Sequence, residues 1–154
     1  MERTHRISAA AIILQDNKIL LVRYHDQLGA GGDTILVGPG GGVNEDEGLS
    51  SAVIREVKEE TGIDIIPVKI LCVEDFYTRR HRNVKVWFLC NVTGGKLVRT
   101  TEAVKETIIE TGWFSPEQLE RETVYPEIIK GNDWSNFTDD KWQTKCLNMR
   151  YVDV

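Results

Sequence analysis

Three cysteines in 154 residues are few, and Cys72, Cys90 and Cys146 lie scattered, with no C-x-x-C spacing and no histidine beside them. Structural zinc is therefore not expected. An odd, sparse count also argues against a disulfide-stapled secreted domain, so the expected setting is reducing, the cytoplasm. Long apolar runs are missing too. The run ISAAAIIL at 7–14 follows Arg3 and Arg6 as the core of a signal peptide would, but it is too short to span a bilayer. An excess of basic residues is likewise absent: 19 Lys and Arg against 24 Asp and Glu give a net charge of −5. Nucleic acid and anionic membranes, which need Lys and Arg to neutralise phosphate, are poor partners for such a surface. His5, His25 and His81 adjoin no Ser/Asp or Cys constellation, so nucleophilic catalysis has no support. There is no G-x-x-x-x-G-K-[ST] loop, and NEDEG at 44–48 lacks the spacing of a calcium-binding EF-hand. With no repeat, linker or second composition, one domain over 1–154 is expected.

What the chain does have is alternation between strand-like and helix-like segments. Residues 7–14 and 19–24 are β-branched runs around the polar turn QDNK, which predicts an antiparallel hairpin. HDQLGAGGD at 25–33 reads as a flexible connection. TILV then leads into a glycine cluster, and 47–61 has helix-forming composition stopped by Gly62. Two strands, 65–78 and 83–93, flank a basic turn, Arg79-Arg80-His81-Arg82, and Gly94-Gly95 suggests a further hairpin. ETIIETGWF at 106–114 reads as a strand, and SPEQLER as a short helix with Ser115 as N-cap and Pro116 first. The sum is an α+β fold with a mixed, mostly antiparallel sheet and two or three helices.

The most informative stretch is REVKEE at 55–60. Like charges three or four apart destabilise a helix by about 0.2–0.5 kcal/mol per pair, so their presence asks for a compensating interaction. At 100° per residue, Glu56 and Glu60 share the sector of Leu49 and Val53, with Glu59 at its border. A solvated charge run would face the other way. Partly buried carboxylates raise one another's pKa unless cations sit between them. A hard divalent ion, Mg²⁺ or its substitute Mn²⁺, takes oxygen ligands of this kind together with substrate phosphates. The glycines of GPGGGV, just upstream, let backbone approach a ligand closely.

From Gly41 to Ile63 the sequence GGVNEDEGLSSAVIREVKEETGI resembles the Nudix box, G-x5-E-x7-R-E-U-x-E-E-x-G-U, at Gly41, Glu47, Arg55, Glu56, Val57, Glu59, Glu60, Gly62 and Ile63. The resemblance covers roughly residues 6–121, with 122–154 as this chain's own C-terminal extension. It implies a Nudix fold, a mixed β-sheet sandwiched between helices, and hydrolysis of a nucleoside diphosphate linked to another moiety. Glu56, Glu59 and Glu60 resemble the family's metal-binding carboxylates, with the Gly40 carbonyl as a further ligand. Arg55 resembles the residue that orients them, and Glu47 the supporting acid at the helix start. Among the late acids Glu102, Glu106 and Glu110, the choice as an additional catalytic carboxylate falls on Glu110. The residues leave open whether Glu56, Glu59 or a late acid is the general base.

Other features have plainer readings. Arg79, Arg80 and Arg82 read as a solvated turn rather than a phosphate grip. Phe76, Tyr77 and Trp87 read as core before they read as base-stacking residues. Trp134, Phe137 and Trp142 read as packing against the domain, with a lid or a homodimer contact as alternatives. No proline stands at the spacing found in family members that act on ADP-ribose. The expected function is a Mg²⁺-dependent pyrophosphohydrolase of nucleoside triphosphates or related nucleotides. The alternatives are a hydrolase of ADP-ribose or nucleotide sugars, a non-catalytic nucleotide sensor, and a calcium-binding structural domain.

Overall fold

The computed structural model describes residues 2–26 and 33–152, so the centre of the expected connection at 25–33 lies outside the described residues. The chain begins with β1 (Thr4–Gln15) and β2 (Lys18–His25), the expected hairpin, closed by Asp16 and Asn17 at φ 52° and 56°. That pair of positive φ values matches the twist of a two-residue hairpin turn. β1 is the hub of the sheet. It runs parallel to β6 (His81–Gly95) from Thr4 to Ile13 and also pairs with the short β4 (Gly40–Gly42) through Ser8–Ala10. β5 (Ile63–Tyr77) lies antiparallel to β6, while β3 (Thr34–Val37) and β7 (Glu110–Phe114) flank β2. The sheet is mixed, as expected, with its longest pairing antiparallel.

Ser8 to Ile13 is buried without alternation, because both faces of β1 are covered. Ala9, Ala11 and Ile13 pack under α1 (Leu49–Thr61) with Ala52, Val53 and Val57. Ala10 and Ile12 face the other way, against Trp87, Leu119 and the C-terminal residues Trp134 and Phe137. Packing is therefore what the C-terminal aromatics do: Phe137 is fully buried and meets Trp142 edge-on at 5.1 Å. Burying each such large apolar side chain contributes about 1.5–3 kcal/mol.

Three expected elements are corrected. Gly94 and Gly95 do not turn a hairpin; they continue β6 and pair with Asp64 and Ile63, which follow α1 directly. The strand expected over 106–114 is shortened to β7. Upstream of it lies α2 (Thr101–Lys105), whose Ala103 is buried with Ile108 against Val22. SPEQLER forms one 3-10 turn, Glu117–Leu119, capped reciprocally: Gln118 N–H donates to Ser115 Oγ at 3.4 Å, and Ser115 N–H donates to Gln118 Oε1 at 2.8 Å. Among the described residues no helix is long and apolar enough to cross a membrane. The remaining elements are β8 (Val124–Tyr125), a 3-10 turn at Glu127–Ile129, α3 (Ser135–Thr138), β9 (Lys145–Cys146) and β10 (Arg150–Tyr151); β9 and β10 lie along β5.

Candidate active site

α1 delivers its glutamates to the edge of the sheet. Gly62 stops it in the left-handed conformation at φ 82°, where a side chain would be strained, and its amide donates to the Lys58 carbonyl at 2.9 Å. The buried face carries Val53, Glu56, Val57 and Glu60, with Glu56 at 6% and Glu60 at 0% exposure. β4 meets that face because it has no side chains. A Cβ on Gly41 would stand 2.7 Å from the Glu56 carboxylate, so any side chain there would displace the acid from its place beside the strand.

Four acids converge there. Glu56, Glu59 and Glu106 each place a carboxylate oxygen within 4.8 Å of the other two. Glu60 accepts from the Gly40 amide at 3.1 Å through Oε2 and lies beside Glu106. Among the described residues, the buried oxygens Glu56 Oε2 and Glu60 Oε1 have no donor.

Arg55 braces the group from the other side. Its Nε and Nη2 donate to the two oxygens of Glu47 at 2.7 and 2.8 Å, and Nη2 also donates to the Gly42 carbonyl at 3.0 Å. Nη1 reaches Glu56 at 3.0 Å and Glu59 at 3.2 Å. A planar fork of donors can hold three carboxylates and a carbonyl at once; a lysine ammonium cannot. This guanidinium holds the Glu47 carboxyl down at about 2. Burial pushes Glu56 up, against the pull of Arg55. Glu60 is pushed well above the carboxylate range by burial first, then by Glu106 and Glu56.

Such a site is short of positive charge. Orphaned, desolvated carboxylate oxygens that face one another fit a divalent cation with oxygen ligands.

The expected site residues divide as follows. Arg55, Glu56, Glu59, Glu60, Gly40, Gly41 and Glu47 stand together around α1 and β4. Glu110 stands apart: it lies on β7, about half exposed, and pairs with Arg23 at 2.7 Å. Glu106, not Glu110, is the late acid brought to the cluster. Thr100 puts it there by capping α2, accepting from Ala103 N–H at 3.0 Å while its hydroxyl donates to the Glu59 carbonyl. A threonine before a short helix was the only hint of this in the sequence. Lys85 was also missed. It projects from β6 with its ammonium 4.7 Å from the Trp87 ring centre, and burial lowers its pKa against the pull of Glu74, Glu60 and Glu56.

The family profile of the NUDIX domain matches residues 4–134. The chain is 39% identical over 75 residues to the 8-oxo-dGDP phosphatase NUDT18 of Danio rerio, a match covering 49% of this chain and 22% of that protein. It is 27% identical over 135 residues to an ADP-ribose pyrophosphatase of Methanocaldococcus jannaschii, covering 84% of this chain and 75% of that one. The chain thus spans about a fifth of the length of the first of these relatives and three quarters of the second. A solved MutT NUDIX hydrolase from Burkholderia pseudomallei superposes with a TM-score of 0.65 at 26% identity, covering 82% of this chain and 95% of that one. With the family's profile matched over most of its length, on a fold that gathers the matched glutamates around one arginine, this chain belongs to the Nudix family.

Proposed function

We propose that this chain is a Mg²⁺-dependent pyrophosphohydrolase acting on a nucleoside triphosphate or a related nucleotide and releasing a monophosphate. The observation that carries the reading is the group of Glu56, Glu59 and Glu106, the first two braced by Arg55, with buried Glu56 and Glu60 oxygens left without donors. Glu56, Glu59 and Glu60, with the Gly40 carbonyl, are the residues that would hold the cation. Mg²⁺, with Mn²⁺ as substitute, supplies neutralisation of the charge that builds on the phosphate oxygens and lowers the pKa of coordinated water.

The protein's own part is positional. Arg55 fixes Glu56 and Glu59 relative to one another, and Glu47 fixes Arg55. Glu106 is exposed and is not among the acids that Arg55 binds, so its carboxylate can accept a proton from the attacking water.

The test is Mg²⁺-dependent release of monophosphate, phosphate or pyrophosphate from a panel of (d)NTPs, ADP-ribose, nucleotide sugars and dinucleoside polyphosphates. Turnover of a (d)NTP supports the reading. Preference for ADP-ribose, the substrate in the name of the Methanocaldococcus relative, would shift the substrate within the same mechanism. A folded protein with no turnover on any member overturns it.

A further inference from the structure

Lys85 pairs in register with Glu74 on one side and with Ser8 on the other, and Ser8 in turn pairs with Gly42, so a single row across β5, β6, β1 and β4 ends at the glycine strand. The Lys85 ammonium lies 4.7 Å from the centre of the Trp87 ring, and that ring fixes where the charge stands. Trp87 Nε1 donates to Glu74 Oε1 at 2.7 Å, while the far edge of the indole lies so close to Gly38 that a Cβ there would strike it. The indole therefore reaches from β5, past β1, to the residues that lead into β4. Only β1 separates β6, which carries Lys85, from Gly40 and the carboxylate group. Glu60 and Glu56 are near enough to act on the charge.

The cation is nevertheless unmatched. Both oxygens of Glu74 are taken, Oε1 by Trp87 and Oε2 by the Arg150 guanidinium at 3.0 Å. Ser8, the other neighbour in the row, directs its hydroxyl to Asn83 Oδ1 at 3.1 Å. Among the described residues no carboxylate forms an ion pair with the Lys85 ammonium. Burial lowers its pKa, and a desolvated charge without a partner is costly. An ammonium offers three donors and acts as a point charge, which suits the oxygens of a phosphate group.

Resting on the hydrolase reading above, we propose that Lys85 is a substrate-binding residue whose ammonium holds a non-bridging oxygen of the phosphate group next to the one engaged by the carboxylate-bound cation. A diphosphate presents oxygens to both charges at once, whereas a lone phosphate presents them to one. The contact therefore favours substrates with linked phosphates over the monophosphate products of their cleavage.

The experiment compares the full-length wild type with Lys85→Met, Lys85→Gln and Lys85→Arg, by calorimetric titration of pyrophosphate and of inorganic phosphate at fixed Mg²⁺ and by steady-state hydrolysis of a nucleoside triphosphate. Lys85→Met and Lys85→Gln should weaken pyrophosphate binding about 10–100-fold, the worth of one charge-assisted hydrogen bond, and leave phosphate binding within about threefold. KM for the nucleotide should rise by a similar factor with kcat near wild type, as for an interaction made equally in the ground and transition states. Lys85→Arg, which keeps the charge, should restore most of the loss. Circular dichroism checks each fold, and Lys85→Gln serves where Lys85→Met fails to fold. A lysine that merely balances the neighbouring acids would leave pyrophosphate affinity unchanged and, once removed, tighten Mg²⁺ measured without phosphate. That result, or a KM like wild type in a folded Met or Gln variant, overturns the contact. Loss of pyrophosphate binding in these variants of a protein that turns over no nucleotide would instead count against the hydrolase reading alone.

Discussion

The amide of Gly40 donates to Glu60 Oε2 at 3.1 Å, tying the glycine strand β4 to the last turn of α1 twenty residues away. Among the described residues that is the sole donor to a carboxylate with no exposure to solvent. One neutral hydrogen bond does not compensate a buried charge, so without a cation the folded protein favours the neutral form of Glu60.

A pH dependence follows. The folded-state pKa of Glu60 is raised, so its contribution to stability is fully present below its unfolded value of about 4.3 and is lost as pH rises through the folded value. In the presence of a chelator, Tm should be lower at pH 8 than at pH 5.5. Mg²⁺ binds the ionised form and should raise Tm more at pH 8 than at pH 5.5. A Mg²⁺ effect equal at both pH values would count against this charge balance.

Removing one ligand charge should separate catalysis from folding. Glu59→Gln and Glu60→Gln are expected to lower kcat by about 10²-fold or more with circular dichroism unchanged. In the second variant the introduced amide oxygen still accepts from the Gly40 N–H. Turnover like wild type in either folded variant would remove the site assignment.

The late acids can be told apart. Glu106→Gln should lower kcat about 10–100-fold, because Glu106 stands within the carboxylate group. Glu110→Gln should leave kcat near wild type and cost at most about 1 kcal/mol, since it loses a half-exposed pair with Arg23. Steady-state kinetics and denaturant unfolding on the two variants decide it; the reverse pattern would restore Glu110.

Gly41→Ala probes the contact between β4 and α1. Its Cβ would fall 2.7 Å from the Glu56 carboxylate, the far end of a flexible side chain. The acid can swing away at little cost in stability, but it then leaves the position in which Arg55 holds it. The expected outcome is a Tm within a few degrees of wild type and a clear loss of activity and Mg²⁺ affinity. Unchanged kinetics would show that the position of Glu56 does not matter.

Much of this molecule was legible in the chain. Helical periodicity placed Glu56 and Glu60 on the face of Val53, and the structure buries both. Gly62 marked the end of α1, and the polar turn after Gln15 marked the first hairpin. These features are local, set within a few residues by backbone geometry and apolar spacing.

The rest was decided at a distance. Gly94-Gly95 has the composition of a turn, yet it continues a strand because Ile63 and Asp64 are there to pair with it. Glu102, Glu106 and Glu110 are alike in sequence; the bond from Thr100 to the Glu59 carbonyl, 41 residues back, selects Glu106. Trp87 is core, as its composition suggests, but the partner of its indole N–H was not legible: Glu74 accepts it, and Arg150 from the far end of the chain holds Glu74 in turn. Sequence thus determined which acids the helix presents, because helical spacing fixes them. Only the tertiary fold decided which distant groups meet them, because long-range contacts depend on how the strands pair and no local pattern encodes that.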